Sequence, residues 1–212
     1  MTATAYIDTV RARFDALRRQ ERRIRKAAAL VVECVLGGRT LWVYDREEAL
    51  SWEANVKAAG LFLTNNRFTP ESILKKGDVL LIGAVEPDTP EDLALAGKAR
   101  DAETKVIAVV STSLSGRKPR GRLLADAADI ILDNRSPEVF GILSAKGAAR
   151  PFCPTTGVMN DCIFWALCAA LVDEFLARGR RPPCTEASAS SPGVNTTSGP
   201  PTGSARRGIE GG

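Results

Sequence analysis

The sequence contains no histidine. That removes the side chain whose ordinary pKa lies nearest neutrality, and with it the commonest metal ligand. Aromatic residues make up only 6% of the 212, and none interleaves with the arginines near the amino terminus. A stacking platform for single-stranded nucleic acid is therefore not expected. No apolar run reaches the roughly 20 residues that a membrane-spanning helix needs. Neither GxGxxG nor the GxxxxGK phosphate loop is present, so the usual dinucleotide and nucleotide readings lose their main support. The opening MTATAYIDTV lacks the basic-then-apolar order of a secretory leader. Five cysteines, odd in number and widely spaced, suit a reducing compartment better than a disulfide scaffold. A cytoplasmic location is the expectation.

What is present is ordinary in bulk. Hydrophobic residues at 44% and charged residues at 25% fit a globular chain, and 212 residues suffice for one domain with a sizeable core. Charge is uneven. Between Arg11 and Lys26 stand eight basic and two acidic residues, more than the whole net charge of +4. Such a run on a helix faces either solvent or an anionic surface, and a solvated face is the expected role. Nucleic acid and membrane are not expected as partners. After residue 183 the chain turns to Pro, Gly, Ser and Thr, with little apolar surface to offset ordering, and a mobile tail is expected over 184–212. The expected division is an N-terminal helical segment over 1–38, packing on the domain or on a partner subunit, and an α/β domain over 39–183, followed by that tail.

Periodicity supplies the elements. Val10, Phe14, Leu17, Ile24, Ala28, Val31 and Val35 form one apolar stripe over residues 5–36, a long amphipathic helix. About 30 residues at 1.5 Å each give roughly 45 Å, so the helix either reaches along a partner subunit or is broken in two. Gly37-Gly38 ends it. Short strands are expected at 40–44, 61–63, 79–82, 105–110 and 129–133. Helices are expected at 47–59, from Pro90 onward, briefly in LLADAA, and over 156–178. Strands alternating with helices predict a parallel sheet covered on both faces, with ligands beyond the carboxyl ends of the strands.

The stretch FCPTTGVMNDCIFWALC, residues 152–168, carries the sharpest signals. Cys162 and Cys168 lie about 240° apart around one helix, and Cys153 precedes it, so the three do not form a metal cluster. No metal and no cofactor are expected, and Cys162 and Cys168 read as core residues. Thr155 or Thr156 is placed to cap the helix, and Gly157 permits close approach to its first turn. Free N–H groups and two hydroxyls there suit a phosphate or carboxylate, although an ordinary cap without a ligand fits the same residues. Beyond Thr156 almost every position is apolar, Trp165 included, so the helix is expected to be central.

The order KVIAVVSTSLS, LLADAADIILDN, CPTTGVMNDCIFWALCAALVDEFLARGRRPP resembles the sugar isomerase (SIS) domain family, near a subgroup related to phosphoheptose isomerases. The matching family segments read KVIAITS, ADVVIDN and GPTST, and the resemblance spans about residues 5–183. It implies an α/β three-layer sandwich with a five-stranded parallel sheet, and a homodimer or tetramer. It also implies a phosphosugar site of hydroxyl-rich loop and helix start. Residue by residue, Ser111 and Thr112 stand at the strand-end hydroxyl position, in inverted order. Asp133-Asn134 match the Asp-Asn after the last strand, and Thr155, Thr156 and Gly157 the helix start. Glu53 falls where many family enzymes keep an acid or base.

Departures from the family shape the functional expectation. Where relatives carry a glycine-rich loop after the first strand, this chain has Tyr44-Asp45-Arg46-Glu47-Glu48. Where they carry serines after the next central strand, it has Gly83-Ala84-Val85-Glu86-Pro87-Asp88. Two like charges about 4 Å apart repel by about 4 kcal/mol at an effective dielectric of about 20. Only Arg46 or a partner's arginine is expected to offset them. The expectation is a non-catalytic domain that binds a carbohydrate derivative or has a structural or regulatory role. The alternatives are an aldose–ketose isomerase working through Glu53, Glu47 or Asp45, and an anionic-surface binder using the basic helix.

Overall fold

Strand residues here are apolar on both sides, so their only stable place is inside a covered parallel sheet. The computed structural model describes residues 3–46, 50, 61, 63, 67–69 and 71–183. Its sheet comprises β1 (Leu41–Asp45), β2 (Val79–Gly83), β3 (Lys105–Val110) and β4 (Ile130–Asp133), in the spatial order β1-β2-β3-β4. Every pair is parallel, with Leu41 opposite Val79, Val79 opposite Lys105 and Ile107 opposite Ile130. All of β2 is buried, and all of β3 after Lys105.

Alternation divides the strand residues between two apolar clusters. Leu41, Val43, Val79, Leu81, Ile107, Val109, Ile130 and Leu132 face one way. On that side they meet α2 (Glu21–Leu36) and α4 (Thr156–Ala177), which also pack on each other. Leu80, Ile82, Val106, Ala108 and Val110 face the other way, against Ala96 and Ala99 of α3 (Pro90–Asp101) and Leu124 of a 3-10 turn, Leu124–Asp126. Pro90 starts α3 without forfeiting a hydrogen bond, and Glu91 and Asp92 in its first turn with Lys98 and Arg100 in its last suit the helix dipole.

The fifth strand expected at 61–63 includes residue 62, outside the described residues, so the sheet has four strands among those described. On the outer side of β1 an isolated parallel bridge joins Val43 to Arg67. Apart from Leu50, the expected helix over 47–59, with Glu47 and Glu53, and the expected tail over 184–212 also lie outside the described residues.

The long N-terminal helix is two helices. α1 (Ala3–Leu17) and α2 are joined by a 3-10 turn, Arg18–Gln20. The break has a visible cause. Gln20 is 4% exposed, and its side-chain amide meets the backbone of Asp133, donating Nε2 to the carbonyl at 2.7 Å and accepting the N–H at 2.7 Å. It thereby completes the outer edge of β4 as another strand would. After α2, Gly38 takes φ +71°, a left-handed turn that glycine adopts without strain. Asp78, 2% exposed, then fixes the entry to β2, accepting from the Thr40 N–H, the Lys75 N–H and the Trp42 indole at 3.0–3.1 Å.

Candidate functional site

The carboxyl ends of the four strands and the start of α4 gather most of the buried polar residues. Asp45, Ser111, Asp133, Asn134, Ser136, Thr155 and Thr156 are all buried there. At the end of β1, Asp45 accepts the backbone N–H of Leu50. Gly83 lies opposite it in β2, where a Cβ would come within 3.3 Å of both Asp45 and Leu50. Glycine is what this crossing accommodates.

Beyond β2, Glu86 and Asp88 do not stand unopposed. Arg117 donates to both oxygens of Asp88 at 2.6 Å and to Glu86 at 2.7 Å. Arg120 also reaches Glu86, and its backbone N–H meets Asp88 at 2.6 Å. This corrects the expectation that only Arg46 or a partner's arginine could balance the acids. Arg46 instead lies 4.0 Å from Glu91, and the neutralising pair comes from the chain's own loop after β3. The Asp88 side chain is fully buried, and Arg117, as its principal partner, holds its carboxyl well below the usual carboxylate range despite burial.

A pH prediction follows from that direction. Because the folded state disfavours protonated Asp88, unfolding takes up a proton in acid. Its contribution to stability is complete above the ordinary value of 3.8 and is lost as pH falls below it. Melting temperatures of the parent should therefore fall with pH below that value. In Asp88→Asn that part of the decline should flatten, from a lower starting stability. Parallel curves for the two proteins would show that the pair is not coupled to folding.

The groups after β3 and β4 are largely tied to one another. The Thr112 hydroxyl donates to Asp133 at 2.8 Å, and Asp133 also accepts the Arg135 N–H at 3.0 Å. Ser111 accepts the Ser113 N–H at 3.3 Å. Asn134, wholly buried, donates to Asn160 of α4 at 2.8 Å and accepts the Ser136 N–H at 2.9 Å. That local bond closes a turn in which Arg135 takes φ +57°. So of the residues singled out in sequence, Ser111, Thr112 and Asn134 each hydrogen bond to neighbouring protein groups at the rim.

Thr155 precedes α4 but its hydroxyl does not cap the helix. It is hydrogen bonded to Ser136 at 2.9 Å and accepts from Arg13. Arg13 also donates to Ser136 at 3.2 Å and pairs with Glu138 at 2.6 Å, with side chains 13% and 27% exposed. Thr156 is 2% exposed, and its hydroxyl has no partner among the described residues. Beside Gly157 there is open space. Among the described residues no group of three or more Cys, Asp or Glu is arranged to hold a metal. Cys168 is buried, while Cys162 is half-buried and its thiol is pushed up by burial. No helix among the described residues is long and apolar enough to cross a membrane.

Sequence reasoning missed Arg13 and Gln20, assigning the arginine run to solvent. A signal was there. Val10, Leu17 and Ile24 are buried at seven-residue intervals, and Arg13 and Gln20 fall on the same stripe, at the steps of three and four between them. Polar residues on an apolar stripe need a buried partner, and both find one at this rim.

A parallel sheet with polar groups collected at its carboxyl rim and at one helix start places the chain in the α/β class, where ligands in general sit beyond the carboxyl ends of the strands. Among solved structures the chain resembles a phosphoheptose isomerase from Francisella tularensis, with TM-score 0.52 and 18% identity over 81% of this chain and 98% of that one. It also resembles a hypothetical protein, with TM-score 0.53 and 14% identity over 84% and 90%. The fold is thus that of the sugar isomerase domain, as the motifs implied. No family model matches the chain. Among curated proteins it is 23% identical to a UPF0309 protein of Shouchella clausii, over 74% of this chain and 78% of that protein. Identity is 33% with a UPF0309 protein of Geobacillus thermodenitrificans and 32% with one of Streptomyces griseus. Those alignments span 56% and 50% of this chain, and only 51% and 44% of the relatives' own length.

Proposed function

We propose that the chain is a divergent sugar isomerase domain that binds a carbohydrate derivative at the sheet's carboxyl rim without isomerising it, in a binding or regulatory role. The observation that carries this is how the rim's polar groups are used. Glu86 and Asp88 with Arg117 and Arg120 fill the end of β2, while the Thr112 hydroxyl and the Asn134 amide after β3 and β4 bond to Asp133 and to Asn160 of α4. The start of α4 keeps Thr156 and the open side of Gly157 for a ligand. The proposal includes assembly as a dimer or tetramer and a cytoplasmic location. Assembly is supported by a groove of about 410 Å³ between α1, α2 and α4, where Phe14, Leu17, Ile24 and Ile163 lie alongside the charged Arg18, Glu21, Arg25 and Asp173.

The test is a thermal-shift and calorimetric screen of the full chain against phosphosugars, sugar acids and nucleotide sugars, with a turnover assay on every binder. Binding without interconversion of aldose and ketose is expected, weakened in Thr156→Ala. Turnover by the purified protein would establish the carboxylate isomerase instead. Binding by none of these ligands would leave a structural role.

A further inference from the structure

Two polar atoms at this rim stand out once its hydrogen bonds are traced. The Thr156 hydroxyl, on a residue 2% exposed at the first position of α4, has no partner among the described residues. Glu138 Oε2, the oxygen not bonded to Arg13, is likewise buried without one. A hydroxyl offers a donor and acceptors, whereas a carboxylate oxygen only accepts. The two atoms therefore ask for different things. Thr156, beside the free N–H groups of a helix of 22 residues, suits a negatively charged acceptor. Glu138 Oε2 suits a hydroxyl donor.

Charge limits which acid fits. Arg13 is matched by Glu138, Arg135 by Asp133, and Arg117 and Arg120 by Glu86 and Asp88. Among the described residues of this rim, what remains to balance a ligand is the start of α4, equivalent to about half a positive charge. That favours one negative charge over the two of a phosphate monoester. We infer that the site takes the carboxylate end of a polyhydroxy acid, a sugar acid. Its carboxylate lies at Thr156 and the first turn of α4, and a hydroxyl along its chain donates to Glu138 Oε2. This rests on the reading that the rim binds a carbohydrate derivative, and names the class.

The test is titration calorimetry on the full chain with gluconate, glucose 6-phosphate, glucose and acetate. Gluconate should bind about tenfold or more tighter than each of the others, the span expected for a hydrogen bond to a charged group. Thr156→Val should remove that advantage and Thr156→Ser should keep it, which separates lost contact from lost folding. Glu138→Gln removes one negative charge beside Arg13, so the order should reverse in favour of glucose 6-phosphate. Tighter binding of glucose 6-phosphate or glucose by the parent would overturn the inference while leaving the carbohydrate-binding proposal standing. Acetate binding as tightly as gluconate would overturn it too, since the hydroxyls would then contribute nothing. If none of the three sugars binds to folded protein, the inference falls, and the carbohydrate-binding proposal is decided by the nucleotide-sugar arm of the wider screen.

Discussion

Phe164→Ala is expected to destabilise the protein by about 3–5 kcal/mol, the usual loss for a buried phenylalanine. Phe164 is 1% exposed and belongs to the cluster beneath α4, beside Ile163 and Leu167. Truncation there removes buried apolar area and leaves a cavity that close-packed neighbours fill only in part. Urea unfolding would show it as a lower midpoint with little change in slope. Trp165 meets Phe164 edge-on at 5.4 Å but is only half-buried, so Trp165→Ala should cost less. A larger loss at Trp165 than at Phe164 would mean that α4 is rotated about its axis relative to the sheet.

Gln20→Ala carries the second large effect, although it removes no apolar core. Its side chain supplies both partners for the buried backbone of Asp133, at 2.7 Å each. Leaving a buried backbone group unmet costs about 1–3 kcal/mol, so two give about 2–6 kcal/mol. Gln20→Glu keeps one bond and sets a carboxylate against the Asp133 carbonyl, so it too should be destabilised. Equilibrium unfolding measures both variants. A loss under about 0.5 kcal/mol for the alanine variant would show that water or a shift of β4 replaces the amide.

Local signals wrote most of this architecture into the sequence. The run from Lys105 to Val110, the start at Pro90 and the start at Thr156 were all readable, because β-branched runs, a proline at a helix start and a Thr-Gly entry act over a few residues. What was not readable depends on residues distant along the chain. Arg117 and Arg120 find Glu86 and Asp88 about thirty positions away, and no local pattern announces such pairing. Whether the first helix runs on or breaks was left open, since arginines and a glutamine suit a helix interior equally well. Gln20 settles it only once β4 is alongside. In α4 the difficulty was the reverse. A helix apolar on every side conceals which face meets the sheet, so Trp165 looked as central as Phe164.

One consequence concerns how this chain tolerates change. The basic run holds residues of two kinds that composition cannot tell apart. Arg11, Arg18, Arg19, Arg22 and Arg23 are exposed, whereas Arg13 alone among the arginines of α1 is tied to Ser136, Thr155 and Glu138. Saturation mutagenesis should therefore find those five arginines permissive and Arg13 intolerant. There even lysine fails, because a point charge cannot replace a fork that grips three neighbours at once.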